Sequence, residues 1–368
     1  MKITCTKENL NKSLDLVSHV ASKSTNLPIL NNVLLKAKDG LLELISTDLE
    51  IGIKSVVRGK IEEEGKFTLP ALLFSNYINL LNNEKVELVK KDKEVIIQSE
   101  DSTTKIKGEN ADEFPLLPEI EKGNKILIDS SELRKAITQT IFAAAQDETR
   151  PEISGVLLKF SDEYLTLAAT DSYRLAESKI KLKETIKENI SLILPTKTLQ
   201  ELLRILALDS EGDLEIYVNE TQILFVYNET ELISRIIEGQ YPDYGQLIPS
   251  DFKTEITLEK NDFVKVIKTA SLFTKSGIND VVLSVVPKDK LVLIESVNNQ
   301  LGENMAKVEA DITGNENKIV FNYRYLLDGL GAIDAEEIKI SIIDSSSPGL
   351  IQATGQNQYL YIIMPIRQ

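Results

Sequence analysis

Apolar and polar side chains alternate along most of the chain. Leu42-Glu43-Leu44-Ile45, Val86-Glu87-Leu88-Val89, Leu165-Thr166-Leu167-Ala168 and Ile338-Lys339-Ile340-Ser341-Ile342 all follow this pattern. A period of two places one face of a strand on a core and the other toward solvent or a partner. Six candidate helices lie between the strand runs: Glu8–Lys23, Ala71–Asn82, Ser131–Gln146, Thr196–Ala207, Asn261–Lys275 and Tyr323–Gly331. Ser130 or Ser131 and Asn261 are the expected N-caps, because short polar side chains accept from the free N–H groups of a first turn. Pro70 and Pro195 stand at helix starts, where a missing N–H costs nothing. The pattern predicts an α+β fold in which helices lie against antiparallel sheets.

The pattern also repeats. Val33-Leu34-Leu35-Lys36 returns as Val156-Leu157-Leu158-Lys159, 123 positions later, and Thr47-Asp48 returns as Thr170-Asp171 at the same shift. A more diverged copy reads Val281-Val282-Leu283-Ser284, followed by Leu291-Val292-Leu293-Ile294-Glu295-Ser296. Within each copy a second half opens on a strand-to-helix turn: Phe67-Thr68-Leu69-Pro70, Leu192-Ile193-Leu194-Pro195 and Ile319-Val320-Phe321-Asn322. Three tandem similar domains follow, with expected limits 1–120, 121–251 and 252–368 and two helices in each. Each is large enough to bury its own core. Short linkers are expected near Pro118–Asn124 and Ile248–Lys253.

Charge changes this picture from a shape to a surface. The 368 residues carry a net charge of −15, which spread evenly would argue against nucleic acid. The distribution is uneven. The helix-bearing windows 7–23, 71–83, 131–146, 196–207, 260–275 and 323–330 hold 12 basic and 6 acidic residues, a net of +6, which leaves −21 for the remainder. Lys265, Lys268 and Lys275 recur at the spacing of one helix face. With no zinc pattern, recognition helix or aromatic RNA-binding strand, the basic helices point to phosphate contacts that do not read bases. No run of 18 apolar residues is present, so no membrane span is expected. The N-terminus lacks an apolar signal region and the chain has one cysteine, Cys5, so a cytoplasmic location is expected.

Catalytic chemistry finds little support. The single histidine, His19, excludes multi-histidine metal sites, and a surface or packing role is the simpler account. Cys5 lies in the first strand as a structural thiol. Gly329-Leu330-Gly331-Ala332 lacks the third glycine and the preceding strand of a dinucleotide loop. Asp48 and Asp171 could supply a pair of carboxylates for hydrolysis, but their recurrence at one strand end of a repeated unit points to a shared turn. No catalytic residue, metal or cofactor is called for.

Four segments carry a family resemblance: Leu27-Pro28-Ile29-Leu30, Ala168-Ala169-Thr170-Asp171-Ser172-Tyr173-Arg174-Leu175-Ala176, Tyr241-Pro242-Asp243-Tyr244 and Met364-Pro365-Ile366-Arg367. Together they resemble the bacterial sliding clamps, the beta subunits of DNA polymerase III, from end to end. The resemblance implies the DNA clamp fold, closed as a head-to-tail homodimeric ring whose helices line a hole for double-stranded DNA. It implies a non-catalytic processivity factor that tethers the replicative polymerase, the clamp loader and repair proteins through a peptide pocket. Carried over by position, Ile153, Thr170, Ser172, Tyr173, Arg174 and Leu175 form one side of that pocket. Pro242, Gln246, Leu247 and Ser346 follow, and Ile362, Ile363, Met364, Pro365, Ile366 and Arg367 close it. Gln246 replaces an arginine common in relatives, and Ser346 replaces a frequent aliphatic residue. The implied dimer seam holds Ile106 on one side and Leu272 and Phe273 on the other. The expected DNA contacts are Lys23, Arg134, Lys197, Arg204, Lys265 and Lys268. A non-DNA repeat scaffold would explain the repeats but not the segregated charge. A hydrolase would explain the paired aspartates but lacks a base, a metal set or a nucleophile.

Overall fold

A computed structural model describes all residues except 22–26, 148, 209–210, 250, 276 and 368. Lys23 therefore lies outside the described residues. The chain forms two compact units, Met1–Ser131 with Lys197–Ile236, and Glu132–Thr196 with Ile237–Gln368. The middle sequence repeat is thus divided between them.

Among the described residues, the first unit holds a twelve-stranded sheet. Its central member is the thirteen-residue strand Ile51–Glu63. This strand pairs antiparallel with Leu41–Thr47 in a register running from Leu41 opposite Arg58 to Thr47 opposite Gly52. It pairs with the first strand through Ile3 opposite Ile61. It also pairs with Thr230–Arg235, far along the chain, setting Thr230 against Ser55 and Ile233 against Gly52. The helix Lys7–Val20 buries Leu10, Leu14, Val17 and Val20 against the sheet. The helix Ala71–Leu80 buries Ala71, Phe74 and Ile78.

The second unit repeats the arrangement in a nine-stranded and a four-stranded sheet. Arg174–Lys181 pairs with the terminal strand Tyr359–Ile363, setting Arg174 against Ile363 and Leu175 against Ile362. Leu175 holds the place that Gly52 holds in the first unit, 123 positions earlier, and each faces an isoleucine. A linker lies over each junction. Leu117 and Ile120 pack with Tyr217, Leu224 and Ile233 in one; Tyr244, Ile248 and Phe252 pack with Leu175, Leu350 and Ile362 in the other.

The helix ends depart from the sequence expectation. The segment expected as one helix over 131–146 is helical only over Ser130–Thr140 and continues as a 3₁₀ turn, Ile141–Ala143. Thr140 turns its hydroxyl back to the Ala136 carbonyl, 2.8 Å away, and Ala145 donates its N–H to Ile153 at 3.0 Å instead of extending the helix. The fifth candidate runs from Lys260 to Ser271, so Lys275 falls outside it. The caps differ as well. Asp129, not Ser130 or Ser131, accepts the Ser131 N–H at 2.9 Å, and Asn261 lies inside its helix.

The reason is a corner used four times among the described residues. At these strand-to-helix turns the first helical N–H finds a carbonyl on a neighbouring segment: Lys7 to Glu84 at 2.7 Å, Ser130 to Gly212 at 3.0 Å, Lys260 to Glu336 at 2.8 Å and Tyr323 to Asn279 at 2.8 Å. One of the orphan donors of a helix start is satisfied by the sheet, so a side-chain cap is optional. Buried serines add a second tie. The Ser46 hydroxyl donates to the Val17 carbonyl at 2.5 Å, and Ser296 donates to Ala270 at 2.7 Å.

The helix Tyr323–Ala332 is seated by an absent side chain. A Cβ on Gly329 would stand 2.3 Å from two ring carbons of Tyr361, which is wholly buried and donates its hydroxyl to the Tyr325 carbonyl at 2.8 Å. Gly331 has open space around it. Gly329→Ala should cost about 1–3 kcal/mol through overpacking. Gly331→Ala should be neutral or stabilise by up to about 1 kcal/mol through helix propensity. Urea unfolding midpoints of the two variants check the contrast.

Candidate functional site

Thr47-Asp48 and Thr170-Asp171 build the same turn. The Thr47 hydroxyl donates to the Ile51 carbonyl at 2.8 Å and accepts from the Leu49 N–H at 3.0 Å. The Asp48 carboxylate accepts from Glu50 and Ile51 N–H at 3.0 and 2.8 Å. In the second copy Thr170 donates to Arg174 at 2.7 Å and accepts from Ser172 at 3.1 Å. Asp171 accepts from Tyr173 and Arg174 N–H at 2.9 and 3.0 Å. Leu49 and Ser172 both take left-handed φ, 78° and 77°. The aspartates are turn formers, as their recurrence implied.

The second copy carries further groups, all within the second unit. Its bend lifts Tyr173 into solvent, 63% exposed. The Tyr173 carbonyl accepts from the Met364 N–H at 2.8 Å, which ties the turn to the chain's last segment. Ile153, Leu175, Ile362 and Ile363 are buried, and Leu175 and Ile362 share one apolar cluster with Leu350. Met364, Pro365 and Ile366 are half-buried, and Arg367 is exposed. Leu247 presents an exposed side chain, 52% open, while the Gln246 amide is drawn to Asp243 at 2.9 Å. Pro242 is exposed beside them. Ser346 donates its hydroxyl and its N–H to Asp344, each at 2.9 Å. With the Ser347 N–H, these donors pull the Asp344 carboxyl down to about 2. Buried and half-exposed apolar side chains with a few polar anchors suit a short peptide.

Arg174 stands apart from the other wall residues, because its guanidinium points into the protein and only 11% of its side chain is exposed. It donates to Asp171 at 2.9 Å, to Asp328 at 2.5 Å and to the Phe142 carbonyl at 3.0 Å. Burial alone would lower its pKa, but the Asp328 and Asp171 carboxylates outweigh it and the shift is upward. Sequence reading missed three residues here. Arg150 donates to the Ser172 hydroxyl at 2.9 Å, Asp328 holds Arg174, and Tyr244 donates to Glu177 at 2.5 Å. Only Tyr244, inside Tyr241-Pro242-Asp243-Tyr244, carried a sequence signal.

The matching junction in the first unit is packed by its linker. Gly52 stands where Leu175 does, and a Cβ there would lie 2.3 Å from Leu117, which fills the space. Ile120 is buried over the same sheet. On the strand that pairs with Ile51–Glu63, burial alone would raise the Glu231 carboxyl. Lys54 at 2.6 Å and Lys122 at 3.1 Å outweigh it and hold the carboxyl below its ordinary value.

The cationic candidates occupy exposed helix positions. Arg134 lies on Ser130–Thr140, and Lys265 and Lys268 lie on Lys260–Ser271, opposite the buried Phe263, Ile267 and Ala270. Lys197 and Arg204 share the helix Thr196–Ala207. Lys197 contacts Asp48, and Arg204 approaches Glu201 at 3.6 Å and His19 at 3.2 Å. Of the seam candidates, Leu272 is 69% exposed and Phe273 is half-buried beside Gly302. Ile106 is buried at 4% exposure, while Thr103, Lys105 and Lys107 of its strand are exposed.

Three family models tile the chain: the DNA polymerase III beta subunit N-terminal domain over residues 1–118, its central domain over 127–243 and its C-terminal domain over 245–367. The chain belongs to the DNA polymerase III beta subunit family. Its three clamp domains and its DNA sliding-clamp function go with that membership. The beta sliding clamp of Bacillus subtilis is 34% identical over 378 residues, covering 100% of both chains. That of Synechococcus elongatus is 32% identical over 372 residues, covering 100% of this chain and 99% of its own. The crystal structure of the B. subtilis clamp superposes with a TM-score of 0.95 at 33% identity, over 100% of this chain and 99% of that one. A Pseudomonas aeruginosa clamp bound to griselimycin gives 0.96 at 27% identity, over 100% of each chain. Among the described residues of this clamp, no helix is long and apolar enough to cross a membrane.

The Tyr244 hydroxyl fastens the linker to the sheet beneath the site. Tyr244→Phe should lower stability by about 1.5 kcal/mol, the low end for a hydrogen bond to a charged group that water partly replaces. Urea titration of the variant measures it.

Proposed function

We propose that the clamp works as a head-to-tail homodimer that closes into a ring around duplex DNA, with domains over 1–120, 121–251 and 252–368. The observation that carries this reading is a pair of unlike apolar faces, each beside an edge strand. In the first unit the edge strand Thr103–Lys107 adjoins the uncharged helix Ala71–Leu80 through Tyr77 and Ser102, 2.7 Å apart. That helix exposes Leu72, Leu73 and Leu80. In the second unit the edge strand Gly302–Glu309 lies beside exposed Leu272, Leu301 and Met305. Two different faces make a heterologous contact, which closes into a ring when its rotation divides the circle evenly. Exposed strand edges beside leucines are otherwise a liability.

Arg134, Lys197, Arg204, Lys265 and Lys268, with Lys23 outside the described residues, meet phosphates in this reading without reading bases. Weak ionic contacts let DNA slide while the ring prevents its loss. The clamp catalyses nothing and acts as a cytoplasmic processivity factor. The replicative polymerase, the clamp loader and repair proteins take turns in the pocket between Tyr173, Leu247 and Met364. Met364 suits varied partners because its side chain is flexible and polarizable.

The topological claim has a direct test. Clamp loaded on nicked circular DNA should stay bound, and should leave when the circle is cut. Nanomolar, salt-resistant binding to a short linear duplex would sink the ring reading. Leu272→Ala should shift sedimentation toward monomer; an unchanged dimer removes Leu272 from the seam.

Charge reversal isolates the phosphate contacts. Converting Lys265 and Lys268 together to Glu should reduce the slope of log affinity against log salt by about 2, close to one per lost phosphate contact. An unchanged slope would place both lysines away from DNA.

A further inference from the structure

We propose that Asp328 is a positioning residue for the peptide pocket, holding Arg174 so that the turn Asp171–Tyr173 and the terminal segment keep their shape. The inference rests on the pocket reading above and adds a residue outside the pocket. Arg174 spends its guanidinium on protein partners: Asp171 at 2.9 Å, Asp328 at 2.5 Å and the Phe142 carbonyl at 3.0 Å. It lies over the rings of Tyr325, at 4.5 Å, and Phe142, at 5.4 Å. A half-buried arginine held by two carboxylates and two rings is a strut rather than a ligand for an incoming peptide.

Asp328 belongs to the helix Tyr323–Ala332, and that helix touches both pocket walls. Through Asp328 it holds Arg174, next to Tyr173. Through Gly329, one residue on, it seats Tyr361 of the terminal strand, whose hydroxyl also bonds to Tyr325. The walls then meet directly, Met364 N–H to Tyr173 carbonyl at 2.8 Å. Asp328 is the polar link in a closed loop of contacts through turn, helix and strand.

The matching junction of the first unit supports the assignment. Ile51 stands in place of Arg174, and the Asp48 carboxylate reaches Lys197 on the neighbouring helix instead. Glu201, six positions into that helix as Asp328 is into its own, is buried beside Arg204 and has no arginine from the turn. The strut occurs at the junction that carries Arg174 and is missing at the one where Leu117 lies against Gly52.

The test uses the full-length dimer and the immobilised catalytic subunit of DNA polymerase III from the same organism. Asp328→Asn should weaken polymerase binding about tenfold and speed amide exchange at Met364, with dimer state unchanged. Asp328→Glu should recover most of the affinity. In an Arg174→Gln background the Asp328→Asn change should have no further effect, because the residue acts through Arg174. Leu247→Arg, on the pocket wall, separates the two readings. If Leu247→Arg abolishes binding while Asp328→Asn stays within twofold of the native clamp, the strut is wrong and the pocket stands. If Leu247→Arg binds normally, the pocket reading fails and the strut with it. Additive losses from Asp328→Asn and Arg174→Gln would also overturn the proposal.

Discussion

The structure depends on backbone pairing across the sequence repeats. Ile51–Ser55 pairs with Thr230–Ser234, and Arg174–Ser178 pairs with Tyr359–Ile363. A buried peptide group must find a partner, so neither ladder can be opened without leaving a row of unsatisfied donors and acceptors. Both ladders are antiparallel and are covered by an apolar linker. The middle repeat supplies one strand to each, which is why its halves belong to different compact units. Sequence similarity and physical cohesion therefore divide this chain in different places.

One turn serves two ends. Thr47-Asp48 and Thr170-Asp171 share every local hydrogen bond of the bend, so the backbone is inherited and the difference lies in what each carboxylate reaches. Asp48 reaches Lys197, and Asp171 reaches Arg174. The first arrangement accompanies a junction packed by Leu117 and Ile120, the second one packed by Tyr244, Ile248 and Phe252. Below the first, Glu201 is raised above the ordinary carboxyl value, chiefly by burial, despite Arg204, His19 and Lys197 nearby. A carboxyl raised on folding favours its protonated form, so its contribution to stability diminishes as pH rises through the folded value.

Much of this was legible in the sequence because it follows from period and repetition. The alternation in Leu42–Ile45, Leu165–Ala168 and Ile338–Ile342 places those residues in strands, and the Thr-Asp pairs are turns. What escaped depends on distant partners. The expected caps Ser130, Ser131 and Asn261 assume that a helix start must satisfy itself, yet Gly212 and Glu336 supply the acceptors. The helix expected through Gln146 stops at Thr140 because Ala145 has a better partner in Ile153. Arg174 reads as a pocket residue from its neighbours, but Asp328, 154 positions away, decides where its charge points.

The long-range ladders also bear on synthesis. The strand Ile51–Glu63 leaves the ribosome about 170 residues before Thr230–Arg235, a wait on the order of ten to thirty seconds at ordinary elongation rates. Arg174–Lys181 waits about as long for Tyr359–Ile363. Throughout each interval a nascent chain displays an unpaired edge bordered by isoleucine or leucine, a template for any other β-strand within reach. Shielding during translation, or a spacing of ribosomes that keeps sister chains apart, becomes a requirement set by topology rather than by overall stability.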